Sequence, residues 1–290
     1  MASTITADQV KKLRDRTGAG MMECKAALTE ANGDFEEANT ILRKRGLASA
    51  SKKAGRATGE GAIGNRLSAD RSTGILVEVN CESDFVARTP DFQQLVQSVL
   101  TEIERAGSSA NDAWLKDPNG PVRKLIAAGI AKMGENMAVP RFVRYADQGY
   151  VAQYIHMGGK IGVQVEFGSL TPAVSGREEM ATLAKEIAMQ IAAQSPMYAS
   201  RDAVPAAVLE KEKSIYRAQM ENSGKPATVL EKIVAGKLGS FYQQVVLPDQ
   251  ASIRDPKQTV ASVLAAAAKT LGAPVTVTRF ARLKVGEAAQ

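Results

Sequence analysis

Residues 77–88 read VEVNCESDFVAR and change from a strand pattern to a helix pattern within a few positions. Val77 and Val79 alternate with Glu78, which is the period of a β-strand and predicts both valines on a core-facing side with Glu78 facing outward. The strand pattern is followed at once by Asn80 and Ser83, which are residue types that favour turns and helix N-caps. The stretch therefore predicts a strand that ends abruptly at a corner.

The corner presents an acidic residue beside an aromatic one, Asp84 and Phe85. In one interpretation Asp84 caps a short helix and Phe85 is an ordinary core aromatic, and for an isolated Asp-Phe pair this is the better interpretation. In the other interpretation the pair projects from the protein and contacts another molecule.

The same stretch belongs to an internal repeat. Residues 61–79 align without a gap with residues 149–167, which lie 88 positions further along the chain. Each copy predicts a β-hairpin, with its turn at residues 69–72 in the first copy and 157–160 in the second. The identical pairs are Gly61 and Gly149, Gly74 and Gly162, Val77 and Val165, and Glu78 and Glu166.

The offset continues beyond the hairpins into two predicted helices, residues 91–103 and 179–190, whose apolar residues recur at helical spacing. A hairpin followed by a packed helix, repeated once, predicts two related α/β subdomains. We assign residues 61–145 to the first core subdomain and residues 146–290 to the second. The predicted fold class is α+β.

The first 46 residues predict three short helices, assembled as a three-helix bundle of the ubiquitin-associated type. Thr6 and Gln9 form a capping-box pattern at the start of the first helix. Gly46 is predicted to end the third helix, and residues 47–60 predict a basic flexible linker. We therefore expect residues 1–46 to form an autonomous docking domain. The apolar faces of the second and third helices consist of Met21, Cys24, Leu28, Ala31, Phe35, Ala38, Ile41 and Leu42.

Residues 205–241 interrupt the second subdomain with two helical runs joined by Ser223-Gly224-Lys225. This pattern predicts a protruding antiparallel helical hairpin, because its first helix is rich in charge. Residues 275–283 alternate as a last strand, and the tail at residues 286–290 is predicted to be frayed.

The chain has a net charge of +6 and a pI of about 9.2, and a basic surface attracts phosphate. Aromatic residues are sparse and no Lys/Arg stripe is interleaved with them, so we expect no direct nucleic-acid binding. A basic RNA-associated ribosome factor stays open as an alternative, to be tested by the salt dependence of RNA affinity. The densest cationic run consists of Arg43, Lys44, Arg45, Lys52, Lys53 and Arg56.

Cys24 and Cys81 lie in different predicted units without C-x-x-C spacing, which predicts neither a disulfide nor a zinc site. No apolar run approaches the roughly 20 residues that cross a bilayer. Residues 1–11 contain no signal-peptide h-region. We therefore expect a cytoplasmic protein with no membrane association.

Catalytic groups are sparse, since His156 is the only histidine and lies beside a predicted hairpin turn. Gly159-Lys160 and Gly224-Lys225 resemble the end of a P-loop but lack its upstream glycine and its Ser or Thr. We expect no enzymatic activity, no cofactor and no metal. An enzyme that uses His156 stays open as a third hypothesis, which unchanged activity after His156→Ala would exclude.

Three strings together resemble the bacterial elongation factor Ts family, the guanine-nucleotide exchange factors of elongation factor Tu. They are RTGAGMMECKAALTEANGDFEEA at residues 16–38, EVNCESDFVAR at residues 78–88 and AKMGENMAVPRF at residues 131–142. The resemblance extends over nearly the whole chain. One departure is Ser83, where the family usually carries Thr; Ser keeps the hydroxyl that a helix cap needs.

The resemblance implies a role for seven residues. Asp84 and Phe85 are expected to form a wedge that enters elongation factor Tu, bound to GDP or nucleotide-free, near its Mg-nucleotide site. The residues expected to dock on this partner are Lys11, Arg14, Met21, Met22 and His156. Adjacent methionines cannot both face inward on a helix, which is consistent with an exposed contact. We take a monomer as the default state.

Overall fold

The computed structural model describes residues 5–146, 149–168, 170–220 and 226–288. It is a mixed α and β structure, with helices first and two sheets after them. Within the described residues, no helix is long and apolar enough to cross a bilayer. The helices are α1 (Ala7–Thr17), α2 (Met21–Glu30), α3 (Phe35–Lys53), α4 (Asp84–Ala87), α5 (Pro90–Ala106), α6 (Asp112–Lys116), α7 (Pro121–Met133), α8 (Pro172–Ser175), α9 (Glu178–Gln194), α10 (Ala206–Met220), α11 (Ala227–Val245) and α12 (Val260–Leu271). The strands are β1 (Glu60–Leu67), β2 (Thr73–Cys81), β3 (Met137–Ala146), β4 (Tyr150–His156), β5 (Ile161–Phe167) and β6 (Val277–Lys284).

Helices α1, α2 and α3 pack around a small apolar core of their own. The predicted capping box is confirmed, because Gln9 N donates to Thr6 Oγ1 at 3.3 Å and Thr6 N donates to Gln9 Oε1 at 2.9 Å. Such a cap satisfies backbone N–H groups that have no partner within the helix. The buried residues of this core are Val10, Leu13, Cys24, Ala27, Leu28, Ala31, Ala38 and Ile41.

The prediction that helix α3 ends at Gly46 is wrong, and so is the flexible linker over residues 47–53. The helix continues through Gly46 to Lys53 and packs against α7. A Cβ placed on Gly46 would lie 3.5 Å from Ala131 Cβ, and Lys53 Nζ donates to Gly134 O at 2.8 Å. Burial against α7 offsets the roughly 1 kcal/mol that glycine costs inside a helix.

The first sheet has the order β1-β2-β3, with antiparallel neighbours and β2 in the centre. Its turn at residues 69–72 is confirmed, and the predicted helix 91–103 lies within α5. Helices α5 and α7 cover one face of the sheet. Apolar residues from alternate positions of β2 fill the space between: Ile75, Val77 and Val79.

The second sheet repeats this arrangement in the order β4-β5-β6, with β5 in the centre and α9 against one face. Helix α12 packs on α9 and adds to the same apolar core. The predicted turn 157–160, helix 179–190 and last strand 275–283 are confirmed, the last as β6. The repeat extends to the third strand of each sheet, because Glu78 faces Arg141 across β2 and β3 just as Glu166 faces Arg279 across β5 and β6.

The prediction that Glu78 faces outward is wrong, although its parity was assigned correctly. The two sheets pack against each other through the faces that the helices leave uncovered. Glu78 is 1% exposed and Glu166 is 3% exposed, each in an ion pair with its cross-strand arginine. Both faces of each central strand are therefore buried. The apolar part of this intersheet layer is Ile63, Leu76 and Leu283 with Val143, Ile155 and Val285.

The predicted frayed tail is also wrong for the part that the structure describes. Gly286 N donates to Glu78 Oε1 at 2.8 Å. Arg141 Nη2 donates to Glu287 O at 2.9 Å and to Lys284 O at 3.1 Å. The chain after β6 is thus fastened to the first sheet by a buried carboxylate and its arginine.

Helices α10 and α11 form the predicted helical hairpin, and Arg217 of α10 pairs with Glu231 of α11 at 3.0 Å. None of the side chains of α10, all of which the structure describes, is buried. The predicted turn Ser223-Gly224-Lys225 lies outside the described residues. The exposure of α10 indicates a hairpin that projects from the core.

Candidate functional site

The corner after β2 is a single helical turn whose cap is Ser83. Strand β2 ends at Cys81, and Val86 N donates to Ser83 Oγ at 3.3 Å to open α4. Asp84 is the first residue of α4 and not its cap, so that part of the simpler interpretation is wrong. The carboxylate of Asp84 therefore does not cap the helix, and it is partly exposed.

Phe85 is 81% exposed, which overturns its interpretation as a core aromatic. The next residues of the turn face inward instead, since Ala87 is 5% exposed and Val86 packs against the first core. A phenylalanine exposed to this extent exposes a large apolar area to water, which favours a site of contact with another molecule.

Asp84 lies beside Phe85 with a partly exposed side chain. Arg88 Nη2 donates to Asp84 Oδ2 at 2.8 Å, four residues further along the chain. Exposed pairs of this kind are worth roughly 0.3–0.5 kcal/mol. Another positive charge could therefore displace Arg88 at little cost.

Glu135 holds the corner in place, and sequence reasoning missed it. Its carboxylate accepts from Ser83 Oγ at 2.6 Å, from Ser83 N at 3.0 Å and from Glu82 N at 3.1 Å. Glu82 in turn accepts from Asn136 N at 2.6 Å. The string at residues 131–142 contains both Glu135 and Asn136, but its pattern carries no signal for these contacts, which join positions about fifty residues apart.

Cys81 adds a further contact beneath the corner. Its Sγ donates a hydrogen bond to Ser83 O at 3.1 Å. Burial, and next the charge of Glu135, raise the pKa of Cys81 to about 11. The thiol therefore keeps its proton near neutral pH and can donate it.

The docking residues predicted near the N-terminus lie on the surface of the three-helix unit. Lys11 and Arg14 are exposed on α1, three residues apart and so on one side of the helix. Met21 and Met22 open α2 and are 46% and 74% exposed. The expectation that Met21 belongs to the apolar face is wrong, because Cys24 and Leu28 fill the inner side of α2.

His156 is the last residue of β4 and is exposed at the tip of the second hairpin. Its Nδ1 lies 2.9 Å from Tyr154 Oη, so the imidazole is oriented by a phenol. The next residue, Met157, is 68% exposed with φ 51°, a feature that sequence reasoning missed. Both cysteines are buried, so neither pairs with His156 as a surface nucleophile.

The predicted site residues thus lie on three parts of the molecule. Lys11, Arg14, Met21 and Met22 share the three-helix unit, Asp84 and Phe85 lie on the first core subdomain, and His156 lies on the second. The structure does not bring them into one pocket. An arrangement of separate exposed contacts fits a large protein partner better than a small substrate.

Three residues of the cationic run make polar contacts with other residues of this chain. Lys53 donates to Gly134 O, Arg56 pairs with Glu82, and Arg45 pairs with Glu30. These contacts direct three of its cations toward the protein, where they are less available to phosphate groups.

A family model described as elongation factor TS matches residues 82–287. The chain is 44% identical over 289 residues to elongation factor Ts of Trichlorobacter lovleyi, which covers 98% of this chain and 93% of that protein. It is 42% identical to elongation factor Ts of Clostridium perfringens and 43% identical to that of Clostridium botulinum, with the same coverage of 98% and 93%.

Proposed function

The chain belongs to the elongation factor Ts family, and from that premise we propose that it binds GDP-loaded elongation factor Tu and promotes release of the GDP. The observation that carries this proposal is the exposure of Phe85, 81%, on a corner that is fixed from both sides. A rigid corner can present an aromatic ring without a large ordering cost on binding.

Phe85 acts as the wedge in this mechanism. Its ring inserts between helices of the GTP-binding domain of elongation factor Tu and separates elements that close around the nucleotide. Burial of an exposed phenylalanine in such a seat contributes roughly 1.5–3 kcal/mol of apolar transfer energy. That energy is available to stabilise the open form of the partner.

Asp84 acts beside the wedge on the partner's magnesium region. An added carboxylate there disturbs the ligand and water network that ties Mg²⁺ to GDP. The ion pair with Arg88 is too weak to prevent Asp84 from moving to this region. Loss of the magnesium contacts loosens the phosphates, and GDP leaves.

The three-helix unit and the tip of the second hairpin supply the docking contacts. Met21 and Met22 offer exposed, flexible apolar side chains, and Lys11 and Arg14 offer positive charge on the neighbouring helix. His156 extends the contact to the second core subdomain. Separate contacts within one chain add to affinity without each being strong.

The chemistry in this proposal belongs to the partner's nucleotide site, so the chain acts as an exchange factor and not as an enzyme. This chain weakens the binding of GDP to elongation factor Tu, and GDP weakens the binding of this chain to the same extent, because coupling free energy is reciprocal. Tight binding to the nucleotide-free partner is therefore part of the same function.

Stopped-flow release of fluorescent GDP from elongation factor Tu tests the proposal. Truncation of a buried interface aromatic typically costs about 2 kcal/mol or more. Phe85→Ala should therefore slow catalysed release by roughly 30-fold if that energy is used in the exchange transition state.

Met197→Ala is the matched control, because Met197 is also an exposed large apolar residue, at 54%, but lies between α9 and α10. It should keep the wild-type rate. A folded Phe85→Ala variant that releases GDP as fast as the wild type would overturn the wedge mechanism.

A further inference from the structure

The ladder between β2 and β3 ends just before the corner, and side chains continue it. The last paired residues are Cys81 and Met137. Immediately beyond them, Glu135 accepts from the backbone of Glu82, while Glu82 accepts from the backbone of Asn136. Each of the two chain segments thus supplies a carboxylate that accepts from the backbone of the other, at the point where backbone pairing has stopped.

Ser83 is bonded through all of its polar groups. Its N–H and its hydroxyl proton go to Glu135, which leaves an oxygen lone pair of the hydroxyl for Val86 N. Its carbonyl accepts from Cys81 Sγ and from Ala87 N. The residue that precedes Asp84 and Phe85 therefore has one orientation, and Glu135 defines most of it.

Helix α4 cannot define that orientation by itself. It has four residues, which is a single turn. A single turn fixes several backbone dihedrals for very few hydrogen bonds and is unstable in isolation. The direction in which Phe85 projects depends on the contacts that hold the start of the turn.

We propose that Glu135 is a positioning residue for nucleotide exchange, whose carboxylate aims the Asp84–Phe85 corner at elongation factor Tu without touching it. This inference rests on the proposed function. A carboxylate suits the role because its two oxygens are acceptors, and three donors converge on them here. A glutamine has the same shape but no charge. Its oxygen can accept from the two N–H groups while its NH₂ group donates to Ser83 Oγ, so the hydroxyl proton of Ser83 loses its acceptor.

The experiment compares Glu135→Gln and Glu135→Ala with the wild type in stopped-flow release of fluorescent GDP from elongation factor Tu. At a saturating concentration of the factor, the rate should fall by about tenfold for Glu135→Gln, the loss expected when charge-assisted hydrogen bonds become neutral ones and the Ser83 hydroxyl proton loses its acceptor. Affinity for the GDP-loaded partner should change by less than about threefold, since the other docking contacts are intact. Affinity for the nucleotide-free partner should fall together with the rate, because the wedge stabilises that form.

A double-mutant cycle separates positioning from general stability. If Glu135 acts through the corner, then Glu135→Gln should cost almost nothing further in a background that carries both Asp84→Ala and Phe85→Ala. If the losses multiply instead, Glu135 does not act through the corner and the inference is overturned. The isosteric glutamine variant keeps the test available if Glu135→Ala does not fold.

Glu104→Gln is the matched control. Glu104 also binds a side chain across two elements, with Arg66 Nη1 at 2.6 Å, but it lies on α5 away from the corner. It should leave both the rate and the affinity unchanged. A Phe85→Ala variant with the wild-type rate would overturn the wedge itself, whereas a slow Phe85→Ala variant together with a fast Glu135→Gln variant would overturn this inference alone.

Discussion

Glu78 on β2 and Arg141 on β3 are cross-strand neighbours whose Oε2 and Nε atoms lie 2.8 Å apart between the two sheets. Glu166 and Arg279 form the equivalent pair in the second sheet at 2.7 Å. Glu78 of the first pair also accepts a hydrogen bond from Gly286 N, in the segment after β6. Both copies of the repeat thus place a charged pair where the two subdomains meet.

Arg141→Ala should lower the free energy of unfolding by about 3–5 kcal/mol, because it leaves the buried Glu78 carboxylate without its charged partner. Urea unfolding measures this loss. Arg105→Ala is the control, since Arg105 makes a surface pair with Glu102 and should change stability by less than about 1 kcal/mol. Equal losses in the two variants would show that the buried pair between the sheets contributes no more to stability than an exposed surface pair.

Gly162→Ala should destabilise the protein by roughly 1–3 kcal/mol through overpacking. A Cβ at this position would lie 2.4 Å from Ile63 Cγ2, across the intersheet layer. Gly236→Ala on α11 should instead gain up to about 1 kcal/mol, because Gly236 has open space around it and alanine favours helix. Thermal unfolding of both variants checks the sign of each change.

Asp84→Ala should slow GDP release less than Phe85→Ala does, and its defect should shrink when Mg²⁺ is chelated. The physical reason is that a chelator performs the step that Asp84 assists. Fluorescent GDP release with and without chelator measures the difference. A defect of the same size under both conditions would assign Asp84 a role apart from magnesium.

Alkaline pH should destabilise the protein partly through Cys81. Its pKa is raised from 9.0 to about 11, so the folded state prefers the neutral thiol. The stability this contributes is present below pH 9 and is lost as pH rises toward 11. Between about pH 8 and pH 10 the loss should be about 1 kcal/mol. Cys81→Ala should show a correspondingly flatter decline in urea unfolding, and an identical decline would contradict the assignment.

Periodicity and repetition in the sequence predicted most of the helices and strands correctly. The hairpin turns, the helices after them and the capping box of α1 all follow from rules that act within a few residues. The same rules misplaced the end of α3, because whether Gly46 ends a helix depends on what packs against it. The corner was located from its residues, but the projection of Phe85 was one of two open interpretations.

The sequence by itself determined which residues share a face, where the chain turns, and that one hairpin-helix unit occurs twice. Tertiary structure decided that Glu78 is buried, that the tail is fastened to the first sheet, and that Glu135 holds the corner. The reason is physical. Alternation along a strand separates two faces but does not say what covers either one, and a carboxylate finds its donors across about fifty residues of chain only after the sheet has brought them together.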